Sequence, residues 1–280
     1  MIEDSSRLAI PGLAATADRW TSPAPRVRLA CADWLEIAPS LESGSIDLLY
    51  ADPPFNTGKR QEADAGAFED AWASPESYIA WLRARLAATL PALKPSSSLL
   101  LHVDWRTSHH VRLLLDELLG ADRFVNHLVW RYGLGGSSPR RFARKHDDIL
   151  FYCVDPDAYW FEAPRVAATS RRMAGQSKKA TDVIESIPAL DAGADAVLDV
   201  PTLNNMASER VGWPTQKPLA LLRMLIGACC PPQGAVLDPC CGSGTTLVAS
   251  HQLQRSATGI DVSERAIRVA TDRLAAVRGG

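Results

Sequence analysis

The chain has 280 residues, 46% of them hydrophobic and 22% charged, with a formal net charge of -2. That composition supplies one substantial core and excludes both a disordered chain and one coated in positive charge for indiscriminate polyanion binding. Met1-Ile-Glu-Asp-Ser-Ser-Arg-Leu8 carries acid where a secretory signal needs base, and no stretch approaches the roughly 18 apolar residues of a membrane span, so the expected location is the cytoplasm, with no membrane partner.

Residues 1–25 mix Pro, Ser, Thr and Ala without sustained period and read as a loosely attached lead-in. Ile46-Asp-Leu-Leu-Tyr-Ala51 is a short apolar run stopped at Asp52-Pro53-Pro54, where the prolines lack N–H donors; this predicts a buried strand with Asp52 at its C-terminal edge. Between Pro75 and Leu93 the residues Ile79, Leu82, Leu86 and Leu90 recur at helical spacing, and Leu99-Leu-Leu-His-Val103 predicts a second buried strand. Val111, Leu114, Leu115 and Leu118 before Gly120 mark a helix with a C-terminal glycine, and Asp148–Val154 a further strand.

After the Ala/Gly/Asp-rich stretch around 189–196 the order continues with a helix near 218–229 and a strand at Ala235–Asp238. A helix from about Thr245, a strand at Ala257–Asp261 and a closing helix from Ser263 follow. Such alternation predicts an α/β fold whose mostly parallel sheet is covered on both faces.

Six cysteines occur as Cys31, Cys153 and the adjacent pairs Cys229-Cys230 and Cys240-Cys241. The two-residue gap by which knuckle-type zinc sites wrap a metal is missing, so they read as buried free thiols and no metal is expected.

Base is concentrated in the middle third. Arg131–His146 holds Arg131, Arg140, Arg141, Arg144 and Lys145 with no acid, and Arg165–Lys179 holds Arg165, Arg171, Arg172, Lys178 and Lys179, again with none. Either segment could be a solvated loop; together they read as a local polyanion surface.

Val236-Leu-Asp238-Pro-Cys-Cys-Gly242-Ser-Gly244-Thr245-Thr-Leu247 is a strand running into a Gly-x-Gly turn and a helix. Such turns also join strands to helices for steric reasons alone, but here Asp238 precedes the glycines and Asp261 ends the next strand, where an acid can bond ribose hydroxyls. Leu247 stands where a dinucleotide fingerprint needs its third glycine, and an acid before the turn repels pyrophosphate. A nucleoside without phosphate fits better. In Asp52-Pro53-Pro54-Phe55 two prolines hold a carboxylate, a free carbonyl and a ring, which alone could be no more than a stiffened turn with a buried Phe.

Taken together these motifs resemble the β-class DNA amino-methyltransferases, which modify adenine N6 or cytosine N4. Asp52–Phe55 is similar to the family's catalytic motif, Asp238–Thr246 to its S-adenosylmethionine loop and Pro214-Thr-Gln-Lys217-Pro to a further cofactor element. The resemblance includes Ala30-Cys-Ala-Asp33, runs from about Val27 onward, and places the catalytic turn before the cofactor loop, the permuted order that defines the class. One departure is Cys240, where the family usually has an aromatic residue.

The resemblance implies a doubly wound methyltransferase sheet of the seven-stranded type. It divides the chain into a lead-in (1–26), a catalytic part (27–160), an inserted basic DNA-recognition region (161–200) and an S-adenosylmethionine-binding part (201–280). Asp33 is then expected near the cofactor adenine, Asp261 at its ribose and Lys217 near its methionine end, with Asp238, Gly242, Gly244 and Thr245 forming the loop. Asp52 and a backbone carbonyl would accept both N–H hydrogens of a target amine, localising its lone pair, while Phe55 stacks on the flipped base. Arg140, Arg141, Arg144, Lys145, Arg171, Arg172, Lys178 and Lys179 are expected on DNA.

The expected reaction is direct in-line methyl transfer to adenine N6 in double-stranded DNA, in a restriction-modification setting. Asp52 favours adenine because Ser is commoner in enzymes acting on cytosine; cytosine N4 is the alternative, and an inactive nucleic-acid-binding relative a second. A cytosine C5 enzyme needs a Pro-Cys thiolate nucleophile, and Pro239-Cys240 lies inside the cofactor loop instead. A cognate restriction endonuclease and a monomeric or homodimeric state stay open. His102 and Trp105 fall near the expected catalytic face with no assigned role.

Overall fold

The structure, a computed structural model, describes residues 20–132, 138–168, 171–173, 175–185, 200 and 209–277. The chain enters through the antiparallel pair β1 (Trp20–Ala24) and β2 (Val27–Cys31), whose tight turn holds Arg26 at a φ of 62°. Part of the expected lead-in is thus a sheet strand, because Trp20 and Thr21 find ladder partners in Ala30 and Leu29; residues 1–19 lie outside the described residues.

A short helix α1 (Trp34–Ile37) is capped by Asp33, which accepts from Leu35 N at 2.7 Å. The wholly buried strand β3 (Ile46–Ala51) follows, then the polar hairpin β4 (Lys59–Ala63) and β5 (Gly66–Asp70). Helix α2 (Pro75–Thr89) starts at a capping box between Ser74 and Ser77 and stops before the expected Leu93, because Pro91 cannot continue it. Strand β6 (Leu93–Val103) begins earlier than its apolar run suggests. Helix α3 (Ser108–Leu119) ends at Gly120, whose φ of 110° suits glycine.

Strands β7 (Phe124–Arg131) and β8 (His146–Cys153) form an antiparallel extension. Then come β9 (Arg165–Ala167), β10 (Ser177–Lys179) and β11 (Val183–Ile184), followed by α4 (Leu219–Cys229), β12 (Ala235–Asp238), α5 (Thr245–Gln252), β13 (Ser256–Asp261) and α6 (Glu264–Ala276). Ser263 caps α6 by accepting from Ala266 N.

Among the described residues the main sheet has nine strands in the order β1-β2-β13-β12-β3-β6-β8-β7-β11. The contiguous block from β2 to β6 is parallel throughout. Alternating β3 side chains serve two cores: Leu49 and Ala51 pack with α1, α2 and α3, while Leu48 and Tyr50 pack with α4. A third cluster joins Val27 and Leu29 to Leu247, Ala270 and Leu274. Val166, Ile184 and Val200 join the α4-side core, so part of the region 161–200 is built into the main body.

Connectivity fixes where a ligand can sit. From β3 the chain passes through α2 to β6 on one side; from β12 it passes through α5 to β13 on the other. β3 and β12 are neighbours, so the crevice beyond their C-terminal ends is the switch point of the sheet, the usual ligand position in such folds. No helix among the described residues is long and apolar enough to cross a membrane.

Candidate functional site

Four acids expected from sequence end or follow the parallel strands β2, β3, β12 and β13: Asp33, Asp52, Asp238 and Asp261. They share the wall of one cavity of about 500 Å³ at the switch point with Phe55, Pro53 and Pro54. Lys217, Gly242 and Thr245 line it as well.

Lys217, expected near the methionine end of the cofactor, is paired inside the cavity. Its ammonium donates to both oxygens of Asp52, at 2.9 and 2.6 Å, and lies 5.0 Å from the centre of the Phe55 ring. Both partners are largely buried, with side-chain exposures of 8% and 18%. Lys217 thus braces the Asp52-Pro-Pro-Phe55 turn.

Phe55 is backed by a buried polar chain. Its ring stacks on His102, with centroids 5.9 Å apart and planes 26° apart. His102 Nδ1 is 3.0 Å from the Tyr50 hydroxyl, His102 Nε2 is 3.2 Å from Asp147 Oδ2, and the Tyr132 hydroxyl donates to Asp147 Oδ1 at 3.0 Å. Burial alone would raise the Asp147 carboxyl, but hydrogen bonding and charge from His102, with Lys217 adding to it, hold it below the ordinary carboxylate value. On the far side of the turn, Asp70 accepts from Asn56 N, the Thr57 hydroxyl and Gln61 Nε2, pinning the residues that follow Phe55.

The glycine loop is strapped from below. Asp261 accepts from Gly242 N on one carboxylate oxygen and from Ser263 N on the other, each at 2.9 Å. Arg273 of α6 donates to the Ser243 carbonyl and to the Thr245 hydroxyl at 3.0 and 2.9 Å. Asp238 accepts from Cys240 N at 3.1 Å; burial, with repulsion from Asp52 and Asp261, pushes its carboxyl up to about 7 against the hydrogen bonds from Thr246 and Cys240.

Gly244, expected in the cofactor loop, packs against α6. A Cβ there would stand 2.7 Å from Cβ of Ala270, so its bareness lets α6 close on the loop. At Gly242 a Cβ would meet Trp213 Nε1 at 2.9 Å.

Trp213 was not foreseen. It is 5% exposed and fills the space between Gly242 and Gly66 of the β4–β5 hairpin, where a Cβ would come within 2.2 Å of its ring. Arg85 was also missed, though Leu82 and Leu86 put position 85 on the inner side of α2; it pairs with Asp33 at 2.6 Å and lies 4.3 Å from the Trp81 ring centre. Asp33 thus caps α1 and binds Arg85 while it lines the cavity.

The half-buried Cys240 lies on the cavity wall, and burial pushes its thiol well up. Cys153, Cys229, Cys230 and Cys241 are buried free thiols, whereas Cys31 is exposed because it ends β2 at the sheet's rim.

The donor set discriminates between ligands. Among the described lining residues the cations are Arg85 and Lys217, already paired with Asp33 and Asp52, while Asp238 and Asp261 also line the cavity. A pyrophosphate would meet uncompensated negative charge; a nucleoside bearing positive charge and no phosphate fits.

The basic residues split in two. Arg140, Arg141 and Arg144 are exposed and Lys145 half-buried on the loop entering β8. Arg171 and Arg172 are exposed on a single helical turn, and Lys178 and Lys179 lie on β10, which pairs with β9 in a separate two-stranded sheet. Gly133–Ser137, Thr169, Ser170 and Ala174 fall outside the described residues.

Comparison with known proteins converges on one family. The DNA methylase family model, for N6 and N4 methyltransferases, matches residues 46–272. The chain is 28% identical over 247 residues to the type II methyltransferase M.HpaI of Haemophilus parainfluenzae, covering 88% of this chain and 74% of that one. It is 27% identical over 234 residues to the DNA adenine methyltransferase YhdJ of Escherichia coli K12, covering 82% and 76%. The solved M1.HpyAVI–SAM complex superposes with a TM-score of 0.57 at 20% identity, over 89% of this chain and 98% of that one, a likeness of fold.

Proposed function

We propose an adenine N6 target for this chain, which belongs to the DNA methylase family of N6 and N4 amino-methyltransferases. It is an S-adenosylmethionine-dependent DNA methyltransferase with the family's α/β fold. The carrying observation for the finer reading is the preorganised turn Asp52-Pro-Pro-Phe55, whose carboxylate faces the same cavity as the glycine loop. The name of the relative YhdJ, a DNA adenine methyltransferase, supports the same base.

S-adenosylmethionine, when bound, supplies a methyl group on a positively charged sulfur. In this reading the glycine loop and Asp261 hold its nucleoside part, and Asp238 faces its positive charge. Asp33 lies toward the adenine.

At the target, Asp52 and a backbone carbonyl of the turn accept the two amine hydrogens, so the nitrogen lone pair is turned toward the donor. Lys217 fixes the Asp52 rotamer through both oxygens. Phe55, backed by His102, offers the ring against which the base is clamped. Arg140, Arg141, Arg144, Lys145, Arg171, Arg172, Lys178 and Lys179 supply the DNA surface in this reading.

The test is to map modified bases in DNA from cells expressing this chain alone. N6-methyladenine at a recurring short sequence is expected; N4-methylcytosine would overturn the choice of base, and unmodified DNA the assignment of substrate.

A further inference from the structure

Phe142 is 97% exposed, the most exposed large hydrophobic side chain among the described residues. It stands on the loop that leads into β8, among the exposed Arg140, Arg141 and Arg144. That loop re-enters the sheet at the C-terminal end of β6, where Val103 pairs with Asp148, so it borders the same edge as the Asp52 turn.

Its root is anchored. The Arg144 guanidinium lies 3.3 Å from the centre of the Trp105 ring, so this contact ties the loop to the rim, and the guanidinium of the neighbouring Arg106 lies 4.8 Å from the same ring. From the root inward, Tyr132 bonds Asp147, Asp147 contacts His102, and His102 stacks on Phe55. The strand ends that carry the loop are thus joined to the Phe55 ring through a short chain of buried contacts.

An exposed aromatic among cations, with no acid in Arg131–His146, suits a polyanion with stackable faces better than a protein surface. Asp104, the acid nearest Arg106, is bound by it through side chain and backbone. A base reaches a recessed cavity only after leaving the helical stack, and the gap it leaves is one ring thick.

We propose that Phe142 enters the DNA duplex beside the target base, filling the vacated stack while Arg140, Arg141 and Arg144 hold the adjacent phosphates. The proposal rests on the reading of duplex DNA as substrate. Trp105, in turn, is a positioning residue for the loop.

The test uses the full chain and two duplexes bearing the site mapped in cells, one intact and one with the target base opposite an abasic position. Phe142→Ala should lower single-turnover methylation of the intact duplex by about tenfold or more, yet stay within about threefold of the unmutated chain on the duplex whose target is already unpaired. Phe142→Trp should restore transfer on the intact duplex.

An equal loss on both duplexes would make Phe142 a general support of the loop and overturn the proposal. No loss on either would also overturn it and point to a protein partner on this face. If the unmutated chain methylates neither duplex, the substrate reading has failed, a result distinct from any Phe142 effect.

Discussion

The Lys217 ammonium holds both carboxylate oxygens of Asp52, at 2.6 and 2.9 Å, so two residues 165 positions apart form one unit. Asp52→Ala is expected to lower methyl transfer by roughly a hundredfold or more while S-adenosylmethionine affinity changes by less than about threefold. Lys217→Met should also slow transfer, and the double variant should be little worse than Asp52→Ala alone, because neighbours acting through one contact are not additive. Single-turnover rates with calorimetric titration of the cofactor check both points. Near-normal turnover in Asp52→Ala would remove the assignment.

Asp238 gives a pH dependence with a defined sign. Its carboxyl sits at about 7 in the folded chain, above the ordinary carboxylate value, so between about pH 4 and 7 the unfolded chain has released a proton that the folded chain keeps. Stability of the ligand-free protein therefore falls as pH rises through that window. A positively charged ligand favours the ionised form, so S-adenosylmethionine affinity should rise by roughly tenfold between pH 6 and 8, with proton release on binding near pH 6. Calorimetry in buffers of different ionisation enthalpy measures the release, and Asp238→Asn should abolish it.

At the cofactor loop, Gly244→Ala is expected to destabilise the fold, since the added Cβ meets Ala270 at 2.7 Å and the φ is +75°. Ala270→Gly in the same chain should recover the steric part and leave a backbone cost of about 1–2 kcal/mol. Asp261→Ala removes the acceptor of Gly242 N and should weaken cofactor binding instead. Thermal unfolding with and without cofactor separates the two. A Gly244→Ala chain of unchanged stability would contradict the packing role.

For DNA, neutralising Arg140, Arg141, Arg144 and Lys145 together should weaken binding and flatten its salt dependence by roughly 0.9 log units per log of salt for each phosphate that is no longer neutralised. Loss of a base-reading arginine would instead relax preference at one position. Titrations at several salt concentrations decide the matter. Unchanged affinity and slope would place the DNA surface elsewhere.

The sequence was most legible where structure is local. The run Ile46–Ala51, the glycine after α3, and Asp238 and Asp261 at strand ends could be read because apolar runs and Gly or Pro punctuation carry the information. Strand β1 and the hairpin β4–β5 gave no such signal: one contains Pro23, the other is mostly polar, and both exist because of their pairing partners.

Trp213 between two glycines and Gly244 beneath α6 are tertiary coincidences that no spacing announces. The glycine motif was therefore readable as a turn, while the closeness of its second glycine to α6 was not. Arg85 was readable, being in phase with Leu82 and Leu86, but a charge on an apolar face is easily taken for solvent-facing until its partner Asp33 is in view.

The sheet order has a consequence for how the molecule comes into being. β12 and β13 slot between β2 and β3, so Val27 finds its partner Ala257 only after nearly all of the chain has been synthesised. Until then a nascent chain carries two separate strand groups, each ending in an unpaired edge, and β3 is apolar along its whole length save Asp47. Such an intermediate is slow to close and sticky while it waits. The cavity beside the Asp52 turn is thus completed last, when Asp238–Thr246 and Asp261 arrive, although the turn itself is translated early, and a chain cut before Leu219 should collect in aggregates even though it contains Asp52.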